Sequence, residues 1–396
     1  MSLMSKFREK QLGKVNIGEE DILDQSVPTG FGVIDLGNGS YDSVSKYLEA
    51  GLRTGRYCCV CGLSGTGKST LVAQISFNIV KQYENADVFW ADEEKSSNKN
   101  RLMQLFTLDG TPAEKFYEKV RYERVNITLD DLQTMITETY KFKLEHKDEL
   151  TETFTAYDGK QHKVLAPTII VIDSLSATFS KRALEGAVEE GETDGITDGS
   201  RTAIENNSFI AKNLSTCYAA NIMIFFCSHI NTKVNIKGPA KPSNCPWLPP
   251  EENLKGGSGS IFYSDCGIRI NKGSKLTADA DYGIDGFINN IQILKSRSFS
   301  SGRKYPLVFN ARDGYDAFLS DVQFLYDSRR IVSAGRFSYL DTLPDIKFTK
   351  KTVKEVAAKN PELAKGIDAA VRDTFLDLMY KIESEPKAEG SEQTEA

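Results

Sequence analysis

No stretch of the 396-residue chain approaches the roughly 18 consecutive apolar residues of a membrane-spanning helix. Met1–Lys14 is polar and basic and has no apolar core, so no secretory signal is expected there. Of the seven cysteines, the four outside Cys58–Cys61 are scattered, as in a reducing compartment. A CxxC at Cys58–Cys61 lies inside an apolar run, with neither a second CxxC nor a His pair beside it. That pattern points to a buried strand rather than a zinc or redox module. There is no internal repeat. Excess positive charge is missing too: the net charge is −6. A chain that coats nucleic acid passively is usually basic, so any nucleic-acid contact must be local, on a loop or groove. A soluble, intracellular protein is the expectation, and 396 residues suffice for about two to three domains and a core buried without staples.

Apolar segments rich in β-branched and aromatic residues recur at 57–61, 86–91, 168–172, 222–227, 267–270 and 288–294, each bounded by Gly, Asp, Asn or Ser. They read as strands of a largely parallel, buried sheet. Amphipathic stretches at 69–83, 129–149 and 200–219 read as helices, and the alternation implies an α/β fold with ligands at the carboxyl ends of the strands. Residues 1–30 read as a charged arm with a short helix, Ser5–Leu12, and a polar linker; 31–310 as the core; 311–383 as a smaller C-terminal region ending in a helix from about Ala364; and 384–396 as an acidic, disordered tail. Thr151–Val164, with Asp158-Gly159 at its centre, reads as an inserted hairpin. Two long loops are expected, Glu185–Ser200 with its four glycines and the Pro- and Gly-rich Thr232–Ser260; loops of this length inside a compact domain tend to be functional or disordered.

Gly62-Leu63-Ser64-Gly65-Thr66-Gly67-Lys68-Ser69 fits G-x-x-x-x-G-K-[ST] without a mismatch, after an apolar strand and before a helix. Glycines let backbone amides wrap phosphates, and the helix N-terminus adds free donors and partial positive charge. ATP and Mg²⁺ are the expected ligands: Ser64, Gly65, Thr66, Gly67, Lys68, Ser69 and Thr70 around the phosphates, with Lys68 on the β/γ-phosphates and Ser69 on the metal. The strand at Thr168 ends in Asp173, a carboxylate placed to approach the same Mg²⁺. A third strand ends in Asp92-Glu93-Glu94, any of which could orient or deprotonate an attacking water.

The order and spacing of these motifs over about Val27–Asn310 resemble the RecA family of homologous recombinases, nearest to its phage-type branch, UvsX. Val27-Pro28-Thr29-Gly30 and Gly51–Arg56 lead into the P-loop as in that family. The resemblance puts the catalytic glutamate on Glu94, a base contact near Arg101, and a γ-phosphate sensor on His229 at the end of Phe225-Phe226-Cys227-Ser228-His229. Gly256–Ser264 has the family's G-G-x-x-x-x-Φ-Y-[AS] form (Φ apolar), and Lys295-Ser296-Arg297 matches the basic pair that reaches a neighbouring subunit's nucleotide. The implied fold is a RecA-type P-loop ATPase core around a mostly parallel twisted sheet, with a small C-terminal region. The implied protein is a DNA-dependent ATPase, cytoplasmic (in the infected host if phage-encoded). It would form helical filaments on single-stranded DNA, pair that strand with duplex DNA and drive strand exchange in recombination and repair. The N-terminal arm would serve oligomerisation, and a single-strand-binding protein and a loader would be partners.

Two loops bear on DNA. The second, Thr232–Lys255, carries Lys233, Lys237, Lys241 and Lys255, with Trp247 beside Pro246 and Gly256-Gly257 just after. Lysines neutralise phosphates, and an aromatic can stack on bases, worth ~1–3 kcal/mol each. The first, Glu185–Arg201, carries six carboxylates before its one base, Arg201. Carboxylates repel a phosphate backbone, so backbone amides and Arg201 make the contact, or Mg²⁺ intervenes, or the loop faces elsewhere. The tail's glutamates fit either an electrostatic brake or a solubilising tail. A hexameric replicative-type helicase, or a nucleotide-gated regulatory ATPase, would share the core motifs.

Overall fold

The computed structural model describes residues 22–42, 47–124, 127–157, 159–181, 199–232, 242–298 and 301–384; the side chains of 199–201 and 379–384 are not described. The arm's helix, Glu185–Ser200 up to its last two residues, Lys233, Lys237, Lys241, the Arg201 side chain, Asp158 and the tail from 385 lie outside the described residues.

Nine strands form the continuous path of a ten-stranded sheet. In chain order they are β1 Tyr57–Gly62, β2 Asp87–Asp92, β3 Val120–Glu123, β4 Thr168–Asp173, β5 Ile222–Thr232, β6 Cys266–Leu276, β7 Gly286–Ser296, β8 Lys304–Asn310 and β9 Gly314–Asp316. The spatial order is β9-β8-β7-β6-β1-β5-β4-β2-β3, with the short strand Glu252–Leu254 paired to the end of β5. From β6 to β3 every pairing is parallel. Every residue of β1 and β4 is buried, which is why those strands read as continuous apolar runs rather than alternations. Cys58, Cys59 and Cys61 are strand core, as the apolar context implied. The fold is α/β with a mostly parallel central sheet, as expected from the sequence.

The helix α1, Lys68–Val80, follows β1 directly; α2, Leu129–Glu145, starts at a reciprocal cap between Thr128 and Asp131; α3, Gly199–Ala219, leads into β5. The inserted hairpin is present as Thr151–Thr155 paired with Gln161–Leu165.

The structure corrects the reading of both ends of the core. Residues 22–30 are no linker: Ser26–Val27 pairs with Leu52–Arg53, Val27 is fully buried, and Asp24 takes a two-pronged contact from Arg56 at 2.9 and 3.0 Å. Beyond 310 the chain does not leave the sheet at once. Strand β9 closes its antiparallel edge, and α4, Ala317–Asp327, capped by the Asp316 carboxylate on the Leu319 amide, packs on β8. Strand β8 is hard to read because it contains Pro306; that residue lies beyond the 308–310 stretch paired to β9, where no ladder bond is lost on that side. Past α4, a three-stranded sheet of Ile331–Ala334, Phe337–Leu340 and Leu343–Phe348 is backed by α5, Pro361–Ser384.

Candidate nucleotide site

Register assembles the site. His229 pairs with Gly62, and Asp173 pairs with Cys227 on one side and Asp92 on the other. The carboxyl ends of β1, β2, β4 and β5 therefore meet at one edge, where ligands of open α/β sheets bind. The P-loop leaves that edge. Leu63, Ser64 and Gly65 are exposed, whereas Thr66 and Lys68 are buried. Gly67 opens α1 at φ +84°, and a Cβ there would stand 2.7 Å from the Tyr315 hydroxyl oxygen, so glycine is required on both counts. A Cβ on Gly65, by contrast, would meet nothing within 4 Å: the loop's outer face is open.

The three strand-end acids of β2 have distinct surroundings. Asp92 is fully buried and accepts from the Ser96 and Ser97 amides (3.1 and 3.0 Å) and from the Tyr122 hydroxyl (2.7 Å), so it organises the turn. Glu93 accepts from the Ile127 amide at 2.8 Å. Glu94 alone faces the P-loop side. Its Oε1 lies 2.7 Å from His229 Nε2 and accepts from the Ser174 hydroxyl at 2.5 Å, while its amide donates to the Asp173 carbonyl at 3.1 Å. The hydrogen bond from His229, helped by Ser174 and opposed by burial, holds the Glu94 carboxyl down at about 2. Lys68 Nζ donates to the Leu63 carbonyl at 3.0 Å and lies 3.4 Å from His229 Nδ1. An ammonium can only donate, so Nδ1 is the acceptor, and the ring's proton sits on Nε2, facing Glu94. The result is a continuous chain Lys68–His229–Glu94–Ser174. Burial lowers the Lys68 pKa.

Asp173 is 1% exposed, and burial raises its carboxyl to about 6, against a lowering hydrogen bond from Ser69. Ser97 Oγ reaches its Oδ2 at 3.5 Å. A hydroxyl and a carboxylate side by side at the head of a P-loop helix suit a hard cation that keeps waters and takes its remaining ligands from phosphates. Among the described residues no group of three or more His, Cys, Asp or Glu side chains forms a metal cage.

The other expected site residues are placed as follows. Thr70, half-buried in the first turn of α1, packs under Gly314. Arg101 donates to the Ala311 carbonyl at 3.1 Å and to the Arg312 carbonyl, bridging the helix Lys99–Phe106 to the turn before β9. Lys255 is exposed, and its amide donates to the His229 carbonyl at 2.9 Å. Gly256 and Gly257 are half-buried. Both have positive φ and lie close to neighbouring residues, a Gly256 Cβ meeting the Ser176 backbone at 3.2 Å and a Gly257 Cβ meeting the Ala203 methyl at 3.1 Å. Trp247 is half-buried against the core, with Lys295 Nζ 5.4 Å over its ring, so it is not a free wedge. Lys295 and Arg297 do not meet this chain's own P-loop. Lys295 pairs with Gly267, which pairs with Cys59, three positions before Gly62. That puts the pair two strands over and roughly 10 Å back along the sheet. Lys295 Nζ caps the Ile261 carbonyl at 3.2 Å and the Phe262 carbonyl, and burial, with Arg297 nearby, lowers its pKa to about 8.

Ser174, Ser97, Tyr315 and Asn289 also touch the site and were not singled out by sequence. Ser174 follows the strand-end aspartate directly, which is a usable signal; the others carry none.

No family model matches the chain. It is 21% identical over 393 residues to a RecA protein of Colwellia psychrerythraea, covering 98% of this chain and 95% of that one. It is 29% identical over 159 residues to the circadian clock oscillator protein KaiC of a Nostoc species, covering 36% of this chain and only 30% of that protein's length. Together with the P-loop and the sheet order, these two likenesses support a RecA-like P-loop ATPase core in this chain.

Proposed function

We propose that the protein is an ATP-dependent recombinase of the phage-type, UvsX-like branch, which polymerises on single-stranded DNA in the cytoplasm and pairs it with homologous duplex. The observation that carries this reading is the placement of His229. Its ring bridges Glu94 and Lys68 at the nucleotide site, and its own carbonyl accepts from Lys255, just past the lysine-bearing segment 233–241. In this reading one residue would join the place of a terminal phosphate to the base of the candidate DNA loop.

In this reading the P-loop residues Gly62–Thr70 hold ATP. Ser69 and Asp173 hold Mg²⁺, which neutralises phosphate charge. Glu94 orients the attacking water once ATP draws His229 and Lys68 away from it, and Arg101 lies toward the base. Lys295 and Arg297 act on the next protomer's nucleotide. Their distance from the chain's own P-loop favours this, as does the 57% exposure of Phe262 beside them. Lys233, Lys237, Lys241 and Lys255 neutralise the strand's phosphates, with Gly256-Gly257 fixing the loop's return. Trp247 contributes to stacking only if Lys295 releases it. The segment before residue 22 serves assembly, 22–327 form the ATPase core, the three-stranded sheet with α5 the C-terminal unit, and the residues from 385 an acidic tail.

The KaiC likeness, which covers 36% of this chain, favours the second reading, a nucleotide-gated regulatory ATPase without a DNA role. ATP hydrolysis with and without single-stranded DNA separates the two, and a forked duplex in the same assay tests for a helicase. The proposal predicts hydrolysis stimulated at least tenfold by the single strand and no unwinding. Unstimulated hydrolysis, or unwinding of the fork, would overturn it.

A further inference from the structure

The P-loop is gripped from the antiparallel edge of the sheet. Asn289 on β7 and Tyr315 on β9 are each 3% exposed, and both converge on one atom, the backbone carbonyl oxygen of Thr66. The Tyr315 hydroxyl donates to it at 2.9 Å. The Asn289 amide nitrogen has two protons and spends one on the same carbonyl at 3.3 Å and one on the Tyr315 hydroxyl oxygen at 3.0 Å. The three groups close a triangle, and both lone pairs of the carbonyl are engaged. Burial raises the Tyr315 phenol pKa, so its proton stays available as a donor.

Tyr315 is in turn locked by the helix that the P-loop opens. Gln74 on α1 accepts from the Tyr315 amide at 2.8 Å and donates to its carbonyl at 2.9 Å. The Asn289 side-chain oxygen has no partner among the described residues. Leaving a buried acceptor unpaired is costly, and a leucine of similar volume would avoid that cost. A position that served packing alone would not keep this asparagine.

The peptide plane supplies the consequence. In a trans peptide the Thr66 carbonyl and the Gly67 N–H lie in one plane and point in opposite directions. Fixing the carbonyl toward the sheet edge fixes the Gly67 N–H away from it, and the Gly67 N–H belongs to the ring of amides that a P-loop offers to phosphate. We infer that Asn289 and Tyr315 are positioning residues for nucleotide binding, which hold the Thr66–Gly67 peptide in the orientation that presents the Gly67 amide to a phosphate. The inference rests on the reading of Gly62–Ser69 as a nucleotide site.

The test is the affinity of the full chain for a fluorescent ATP analogue, with the steady-state KM and kcat for ATP beside it. The variants are Tyr315→Phe and Asn289→Leu. The control is Tyr282→Phe, which removes another buried tyrosine hydroxyl, bonded to Gln323 at 2.8 Å. Tyr315→Phe and Asn289→Leu should each weaken nucleotide binding and raise KM about 5- to 20-fold, the scale of one or two lost hydrogen bonds, with kcat within about threefold. Tyr282→Phe should lower the melting temperature comparably and move affinity less than about twofold. Should one variant fail to fold, the other carries the comparison alone. Wild-type affinity in a folded Tyr315→Phe or Asn289→Leu, with a melting loss like the control's, would overturn the inference. A wild-type chain that bound no nucleotide would overturn the reading of the site, and this inference with it.

Discussion

Glu94 is held by three groups at once: the His229 ring, the Ser174 hydroxyl and, through its own amide, the Asp173 carbonyl. A carboxylate pinned at about 2 is ionised at every physiological pH but is a weak base while the His229 bond lasts. In the proposed reading the group acts on water and not on the ground-state nucleotide, so Glu94→Gln should lower kcat for ATP at least 100-fold and leave nucleotide affinity within about threefold. Parallel binding titrations and steady-state rates check this. His229→Ala should do something different: ATP still binds, but ATP no longer raises affinity for single-stranded DNA, read by fluorescence anisotropy with and without a non-hydrolysable analogue.

The same neighbourhood shows what sequence can and cannot carry. The P-loop and Asp173 are legible because their chemistry is local in sequence: strand, turn and helix supply the context on adjacent residues. Choosing among Asp92, Glu93 and Glu94 by residue type alone was not possible, because all three end one strand; what separates them is which distant groups, Tyr122, Ile127 or His229, fold against each. Asn289 and Tyr315 were invisible for the same reason. Each lies more than two hundred residues from the carbonyl it holds.

At the scale of elements, the six strands read from apolar runs are all present, and the parallel register of β1, β5, β4 and β2 brings the site together. The sequence was less informative where a strand is short, half-exposed or interrupted by proline, as for β3, β8 and β9. One helix makes a further prediction. Lys143 on α2 is buried and donates to the Ala166 carbonyl at 2.6 Å and the Asn221 carbonyl at 3.4 Å, and burial lowers its pKa from 10.5 to about 7. Below about pH 7 the lysine is charged in both the folded and the unfolded chain, and the folded state bears the full cost of a buried charge. Between about 7 and 10 the unfolded chain binds more protons, so stability rises with pH, by up to about 1.4 kcal/mol per unit. The difference in unfolding free energy between wild type and Lys143→Met should shift in favour of wild type over that interval, measured by denaturant titration at several pH values. A pH-independent difference would contradict the burial of this group.

The whole molecule raises the question of the second half of the site. Lys295 and Arg297 stand away from their own P-loop, so a complete site in the proposed reading takes two chains. Glu94→Gln and Lys295→Ala should each be inactive alone. Mixed in equal amounts, they should recover up to about a quarter of wild-type hydrolysis, since one interface in four then joins an intact Glu94 to an intact Lys295. No recovery would confine the site to one chain. Neither net charge nor composition pointed to such an assembly; only the order of motifs did, and the acidic balance of −6 keeps any DNA contact local.

The most direct measurement of the central claim is joint-molecule formation between labelled single-stranded DNA and supercoiled duplex, with ATP and Mg²⁺, using homologous and unrelated strands in parallel. The account predicts joint molecules with the homologous strand only, and none from Lys68→Ala. Folded, ATP-binding protein that forms no joint molecules with either strand would contradict it.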